Sequence, residues 1–198
     1  MEIIFATHNQ HKLKEIRALL DDRFLITGLG DLDFSEDIPE DYDTLEQNAS
    51  QKAWHIFNRF GRNCFADDTG LEVTALEGAP GVYSARYSRI GEVTFPQMEV
   101  AAGNIKKLLM ELEGSKVREA QFRTVISLVM EGTEHRFEGV VRGEITTKPA
   151  GSSGFGYDPV FRPTGFQKTF AEMDLGLKNR ISHRALAVQQ LIEFLEAM

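Results

Sequence analysis

At 198 residues, 42% of them hydrophobic and 26% charged, the chain has the make-up of a folded protein with one sizeable core, not a disordered or fibrous one. Its formal charge of −8 argues against a broad nucleic-acid or anionic-membrane surface, since both need dense positive charge. Cys64 stands alone, which precludes an intrachain disulfide and fits a reducing cytoplasm. The start, MEIIFAT, carries no basic leader, and no apolar run approaches the ~20 residues needed to cross a bilayer. The expectation is a soluble cytoplasmic protein of one domain, residues 1–198.

In chain order, residues 2–6 read as a buried strand, followed by Leu13, Ile16, Leu19 and Leu20 at helical spacing with Asn9 as the N-cap. A short strand around 24–27 leads to an acidic loop holding Asp31, Asp33, Glu36, Asp37, Glu40, Asp41 and Asp43. Thr44 opens a helix to about Phe60, and Gln47 three residues on has capping-box spacing. "NCFADDTGLEV" reads as strand, acidic turn, strand, and "EGAPGVYSARYS" as irregular. A third helix opens near Pro96 and stops at Gly114. From 118 to 147 the period becomes two, with Ala120, Phe122, Ile126, Leu128 and Met130 on one face and "EGTE" as a hairpin turn. After the glycine-rich loop "TKPAGSSGFGYDP", Ser182 caps a final helix. Early alternation of helix and strand with a late hairpin predicts one α/β unit with a mixed sheet.

Four segments carry chemistry. In "THNQHK", Thr7 to Lys12, six consecutive side chains able to hydrogen-bond meet a helix start, and Lys12 places a cation against the positive end of the helix dipole. Thr and Asn there also serve as ordinary caps, but a bound anion would make lysine and dipole cooperate. No G-x-x-x-x-G-K-[ST] stretch occurs, so a phosphate site here is not a P-loop. Asp67 and Asp68, before Thr69-Gly70, suit either a local turn or a hard-cation site in which a carboxylate activates water; Mg²⁺ fits such oxygen ligands, with Glu40 or Glu46 as the second carboxylate. In "SSGFGYDP", Phe155 and Tyr157 offer flat surfaces for a base, or anchors for the loop, and Asp158 is held extended by Pro159. In "LKNRISHRAL", Lys178, Arg180, His183 and Arg184 gather around the last helix start, repeating the anomaly of Lys12. Cations at two helix starts point to a polyphosphate ligand.

In family order, from Ile4 to about Leu195, "ATHNQHK", "TLEQNASQKA", "FADDTGLEV", "GAPGVYSARYS", "KPAGSSGFGYDP" and "KNRISHR" together resemble the inosine triphosphate pyrophosphatase family in its bacterial branch. The resemblance implies an elongated mixed β-sheet flanked by helices, in two lobes with a central nucleotide cleft, and usually a homodimer. It implies Mg²⁺-dependent hydrolysis of ITP, dITP and XTP to a monophosphate and pyrophosphate, clearing deaminated purines from the nucleotide pool. By position it implies that Thr7, His8, Asn9, Gln10, His11 and Lys12 cradle the phosphates and that Asp68 is the general base. It further implies that Glu40 and Asp68 hold the metal, that Thr69 touches substrate, and that Phe155, Gly156, Tyr157 and Asp158 enclose the base. Lys178, His183 and Arg184 complete phosphate and base recognition. The chain departs from the family pattern at Gln47 and Leu177, where the family often has Glu. Two rivals stand beside this reading: a pyrophosphatase for other modified nucleotides, and a nucleotide-sensing module without turnover.

Overall fold

The computed structural model describes residues 1–20 and 23–198. Its elements are β1 (Glu2–Phe5), α1 (Gln10–Leu19), β2 (Leu25–Gly28), α2 (Leu45–Phe60), β3 (Cys64–Val73), β4 (Pro80–Gly81), α3 (Val100–Glu111), β5 (Glu119–Met130), β6 (Thr133–Ile145), β7 (Phe161–Pro163), α4 (Leu175–Ile181) and α5 (His183–Glu196), with short 3₁₀ turns between them. The strands form one seven-stranded sheet in the order β2-β1-β3-β5-β6-β7, with β4 on β3. β1 runs parallel to both β2 and β3, whereas β3–β4 and β6–β7 are antiparallel, so the sheet is mixed as expected. Among the described residues no helix is long and apolar enough to cross a membrane.

The chain divides into two compact units built from non-consecutive segments. The first comprises Met1–Asp68, Thr124–Gly139 and Ser182–Met198; the second comprises Thr69–Arg123 and Val140–Ile181.

In the first unit the alternation of side chains along β1, β3 and β5 separates two cores. Ile3, Phe5, Phe65, Ile126, Leu128 and Met130 pack with α1 and α5 through Leu13, Ile16, Ala187, Val188 and Leu191. Ile4, Ala6, Cys64, Ala66 and Val129 instead pack with α2 through Ala53 and Ile56, and with Phe34. Phe5 and Phe65 stack on neighbouring strands, 4.5 Å between ring centres. In the second unit Leu71, Val73, Phe122 and Ile145 pack against Leu108 and Leu112 of α3, with Tyr157, Phe161 and Phe170 closing the cluster.

Two expectations are corrected. "FADDTG" contains no turn: β3 runs unbroken through Asp67 and Asp68, because both carboxylates find buried cations and need no solvent. The third helix starts at Val100, where the Glu99 side chain accepts from the amides of Ala101 and Ala102, and it ends at Glu111, before Gly114. The hairpin turn falls where read, at Glu131-Gly132, both with positive φ.

One polar hub ties β6 to its neighbours. Glu134 accepts from Ser50 Oγ (3.0 Å), Trp54 Nε1 (3.0 Å), Ser127 Oγ (3.0 Å) and Arg136 Nε (2.8 Å). Burial alone would raise its pKa, but these four donors outweigh it and hold the carboxyl below its ordinary value. A depressed carboxyl contributes stability that is fully present above the unfolded value of about 4.3 and is lost as pH falls through the folded one. Glu134→Gln, which turns an amide toward a donor, is expected to cost about 1–2 kcal/mol at neutral pH in urea unfolding, with the difference shrinking below about pH 4. A pH-independent difference would contradict this.

Candidate functional site

The site grows from two consecutive aspartates. Neighbours on a strand point to opposite faces, so Asp67 and Asp68 serve different helices. Asp67 lies on the α1/α5 side: its Oδ1 is 2.9 Å from Lys12 Nζ and its Oδ2 is 3.2 Å from Arg184 Nε. Arg184, 1% exposed, also donates through Nη1 to Glu15 of α1. Asp68 lies on the α2 side, 3.0 Å from Lys52 Nζ, and the same ammonium is 2.6 Å from Glu40 of the acidic loop.

Electrostatics follow this pairing. Burial pushes Asp67 toward the neutral acid, but Lys12, Arg184 and Lys52 together hold it well below the usual carboxylate range. Asp68 goes the other way: burial dominates and raises its pKa, with Lys52 and Lys12 only partly opposing and the Glu40 charge adding to the rise. Burial lowers the pKa of Lys12 despite Asp67, while Lys52 is held above its ordinary value because Asp68 and Glu40 outweigh its burial. Two adjacent carboxyls with pKa values pushed apart are an arrangement for one fixed charge and one proton acceptor.

The "THNQHK" turn forms largely as read. Asn9 caps α1 by accepting from the amides of His11 (2.9 Å) and Lys12 (3.2 Å), and Thr7 Oγ1 accepts from the Asn9 amide (3.1 Å). His8 Nε2 donates to the Glu36 carbonyl at 2.9 Å, which fixes the proton on this nitrogen, and its ring lies parallel to Phe34 at 6.0 Å. His8, Asn9, Gln10 and His11 are exposed, and Thr7 and Lys12 are half-buried.

The helix-start argument is corrected in part. Lys12 and Arg184 do converge on one place, but their charges are met by Asp67 and Glu15, so the fold itself answers the anomaly. Lys178 and Arg180 are not at the start of α5; they lie in the last turn of the separate helix α4, where the dipole favours cations. Ser182 caps α5 as read, accepting from the Ala185 amide at 3.2 Å. His183 and Arg184 therefore occupy the first two helical positions, where a helix supplies no acceptor of its own for the amides.

A second cluster belongs to the second unit. Asp158 Oδ2 accepts from the Phe155 amide (2.8 Å) and from Lys178 Nζ (2.7 Å), closing the loop and fixing the lysine. Lys178 Nζ lies 5.0 Å from the centre of the Phe155 ring and 5.9 Å from that of Phe170, within cation–π range. Asp158, rather than the neighbouring position 177, orients Lys178. Tyr157 is core: its ring is buried and its hydroxyl donates to the Ser84 carbonyl at 3.0 Å, which leaves Phe155, half-buried, as the loop's accessible aromatic surface. Gly156 adopts positive φ. Thr69 is half-buried on β3. The irregular "GVYSARYS" stretch is held by Asn104 of α3, which donates to the carbonyls of Ser84 and Ala85 and accepts from the Ser88 amide.

Sequence reading missed Lys52 and Glu15, and it named Asp67 only as the neighbour of Asp68, without the two cations it pairs with. Lys52 lies inside the quoted "TLEQNASQKA", and its helical spacing of eight from Thr44 was the available signal. Gln47, the other departure, has its side chain turned back to the cap, where Oε1 accepts from Thr44 Oγ1 at 3.0 Å.

The fold is thus α/β, with two adjacent aspartates facing opposite sides of β3 in the first unit and a glycine–aromatic loop fixed by Asp158 in the second. The family model of the Ham1 family matches residues 3–194. A dITP/XTP pyrophosphatase of Porphyromonas gingivalis is 52% identical over 195 residues, covering 98% of this chain and 97% of that protein; one of Flavobacterium johnsoniae is 50% identical, covering 100% and 99%. The solved structure of a HAM1 protein from Coxiella burnetii superposes with a TM-score of 0.88 at 37% identity over 100% of both chains. The chain belongs to the Ham1 family.

Gly139 of β6 seats the start of α5. A Cβ there would collide with the backbone carbonyl of His183 and lie 2.6 Å from the Ala187 nitrogen, neither of which can swing aside. Gly139→Ala is therefore expected to destabilise by about 1–3 kcal/mol, the usual range for overpacking, in urea unfolding. An unchanged midpoint would mean that α5 has slack at this point.

Proposed function

We propose that this chain hydrolyses deaminated purine nucleoside triphosphates (ITP, dITP and XTP) between the α- and β-phosphates, releasing a monophosphate and pyrophosphate, with Mg²⁺ as cofactor. The observation that carries the reading is the convergence of Glu40 and Asp68 on one ammonium, beside Asp67 with its two cations. The names of the curated relatives point the same way.

The chemistry of this pair supports the metal: Glu40 and Asp68 are oxygen ligands whose charges already meet one cation, the Lys52 ammonium, and Mg²⁺ commonly takes one or two carboxylates plus substrate phosphates. Glu40 and Asp68 would hold it; when bound, it supplies neutralisation of phosphate charge and stabilises the leaving group. Asp68 orients the attacking water and takes its proton. Lys52 and Lys12 offer positive charge to the phosphates, assisted by donors from Thr7 to His11. A phosphate arriving there competes with Asn9 for the amides of His11 and Lys12. Thr69 contributes a further polar contact.

For the base, Phe155 supplies a stacking face, with Gly156, Tyr157 and Asp158 shaping the loop and Lys178 held ready by Asp158. The amides of His183 and Arg184 are suited to donate to a 6-keto oxygen, and the 6-amino group of adenine, itself a donor, is refused there. Polar contacts of this kind discriminate better than shape alone. Work as a homodimer in the cytoplasm belongs to the same proposal; sedimentation distinguishes one from two chains of 22.3 kDa.

With Mg²⁺, the protein is expected to convert ITP to IMP and pyrophosphate, and IDP with orthophosphate as products would refute the cleavage site. Asp68→Asn, which keeps a hydrogen-bond acceptor for Lys52, is expected to lower kcat by about 10²–10⁴-fold while leaving the unfolding midpoint near that of the parent. Full activity in that variant would remove Asp68 as the base. Binding of ITP without any turnover in the parent protein would favour the sensing module.

A further inference from the structure

The reaction just described uses Asp68 but gives no task to Asp67, although Asp67 is the more deeply set of the two. Its side chain is 1% exposed and faces the opposite side of β3 from the proposed base. One oxygen holds the ammonium of Lys12, from the start of α1; the other holds Nε of Arg184, from the start of α5. Arg184 is gripped from its other side by Glu15, so the guanidinium is fixed at two of its donors. Lys12 and Arg184 thus share one carboxylate, although they come from helices 172 positions apart in the sequence, from Lys12 to Arg184.

Groups that share a single partner do not act independently. Whatever draws the Lys12 ammonium toward a phosphate loosens its hold on Asp67, and Asp67 then leans more fully on Arg184. In the low-dielectric interior such a redistribution is felt more strongly than in water. The reading under which Lys12 serves the phosphates and Arg184 the base turns this shared contact into a link between the two ends of a nucleotide.

We infer that Asp67 is a positioning residue that couples Lys12 to Arg184, so that discrimination between bases depends on the phosphate-side lysine. This rests on the pyrophosphatase reading above. A merely structural Asp67 would change the amount of folded enzyme, scaling turnover of every nucleotide alike and leaving ratios untouched. A coupling residue changes the ratio.

The experiment compares kcat/KM for ITP and ATP in the parent, Lys12→Met, Asp67→Asn and the double variant, each checked for folding by circular dichroism. Lys12→Met is expected to shift the ITP:ATP ratio by about fivefold or more, within the range of coupling seen between residues of one network. In the Asp67→Asn background the same lysine substitution is expected to leave the ratio within about twofold, the spread expected of uncoupled sites. A ratio unaffected by Lys12→Met in the parent background overturns the inference, as does an equal shift in both backgrounds. Should Asp67→Asn fail to fold, Asp67→Ser supplies the second background, read by the same two outcomes, and an unmoved ratio in Lys12→Met alone already overturns the inference. Absence of ITP turnover in the parent would defeat the pyrophosphatase reading itself; turnover with an unmoved ratio defeats only the coupling.

Discussion

Everything in the first unit turns on placing two carboxylates next to each other on a strand with both faces covered. Period-two geometry sends Asp67 toward α1 and α5 and Asp68 toward α2, and each buried acid must then find a cation or lose its charge. The fold meets that demand with long basic side chains from three helices. Arg184, among the largest fully buried side chains, is tolerable there only because Asp67 and Glu15 flank it. The unequal outcome for the two acids is the chemically interesting part. Three neighbouring positive charges keep Asp67 ionised, while Asp68, with Glu40 close by, is the one whose proton affinity rises.

The second unit solves a smaller problem by the same means. A glycine-rich loop has little reason to hold one shape, and Asp158 gives it one by accepting from the Phe155 amide. The same carboxylate pairs with Lys178 and sets that side chain against two aromatic rings. Gly154, at positive φ, lets the chain pass close over Asp158, where a β-carbon would collide with it.

How far the sequence foretells this depends on the range of the interaction. Local signals are reliable: the Asn9, Thr44 and Ser182 caps and the Glu131-Gly132 turn lie where spacing and residue type put them. The acidic pair misleads because turn statistics describe exposed Asp-Thr-Gly, and nothing local reveals that Lys12, Lys52 and Arg184 will arrive from elsewhere. The cations at helix starts are legible as an anomaly, but whether a ligand or a protein carboxylate answers them is a long-range fact. Lys178 is hard to place for a similar reason, since the helix break at Ser182 puts it in the last turn of α4 and not in the first turn of α5. Tyr157 shows the ordinary ambiguity of an aromatic in a loop, settled here by a partner 73 positions away.

The solitary thiol has a practical corollary. Cys64 is fully enclosed on β3, donates to the Ala53 carbonyl at 3.1 Å, and burial pushes its pKa up to about 12. Since the thiolate is the reactive form, labelling of the native protein by maleimides and haloacetamides at neutral pH is expected to be slow. A cysteine introduced on the exposed surface would then be the single point of attachment for a fluorophore or spin label, without first removing the natural one.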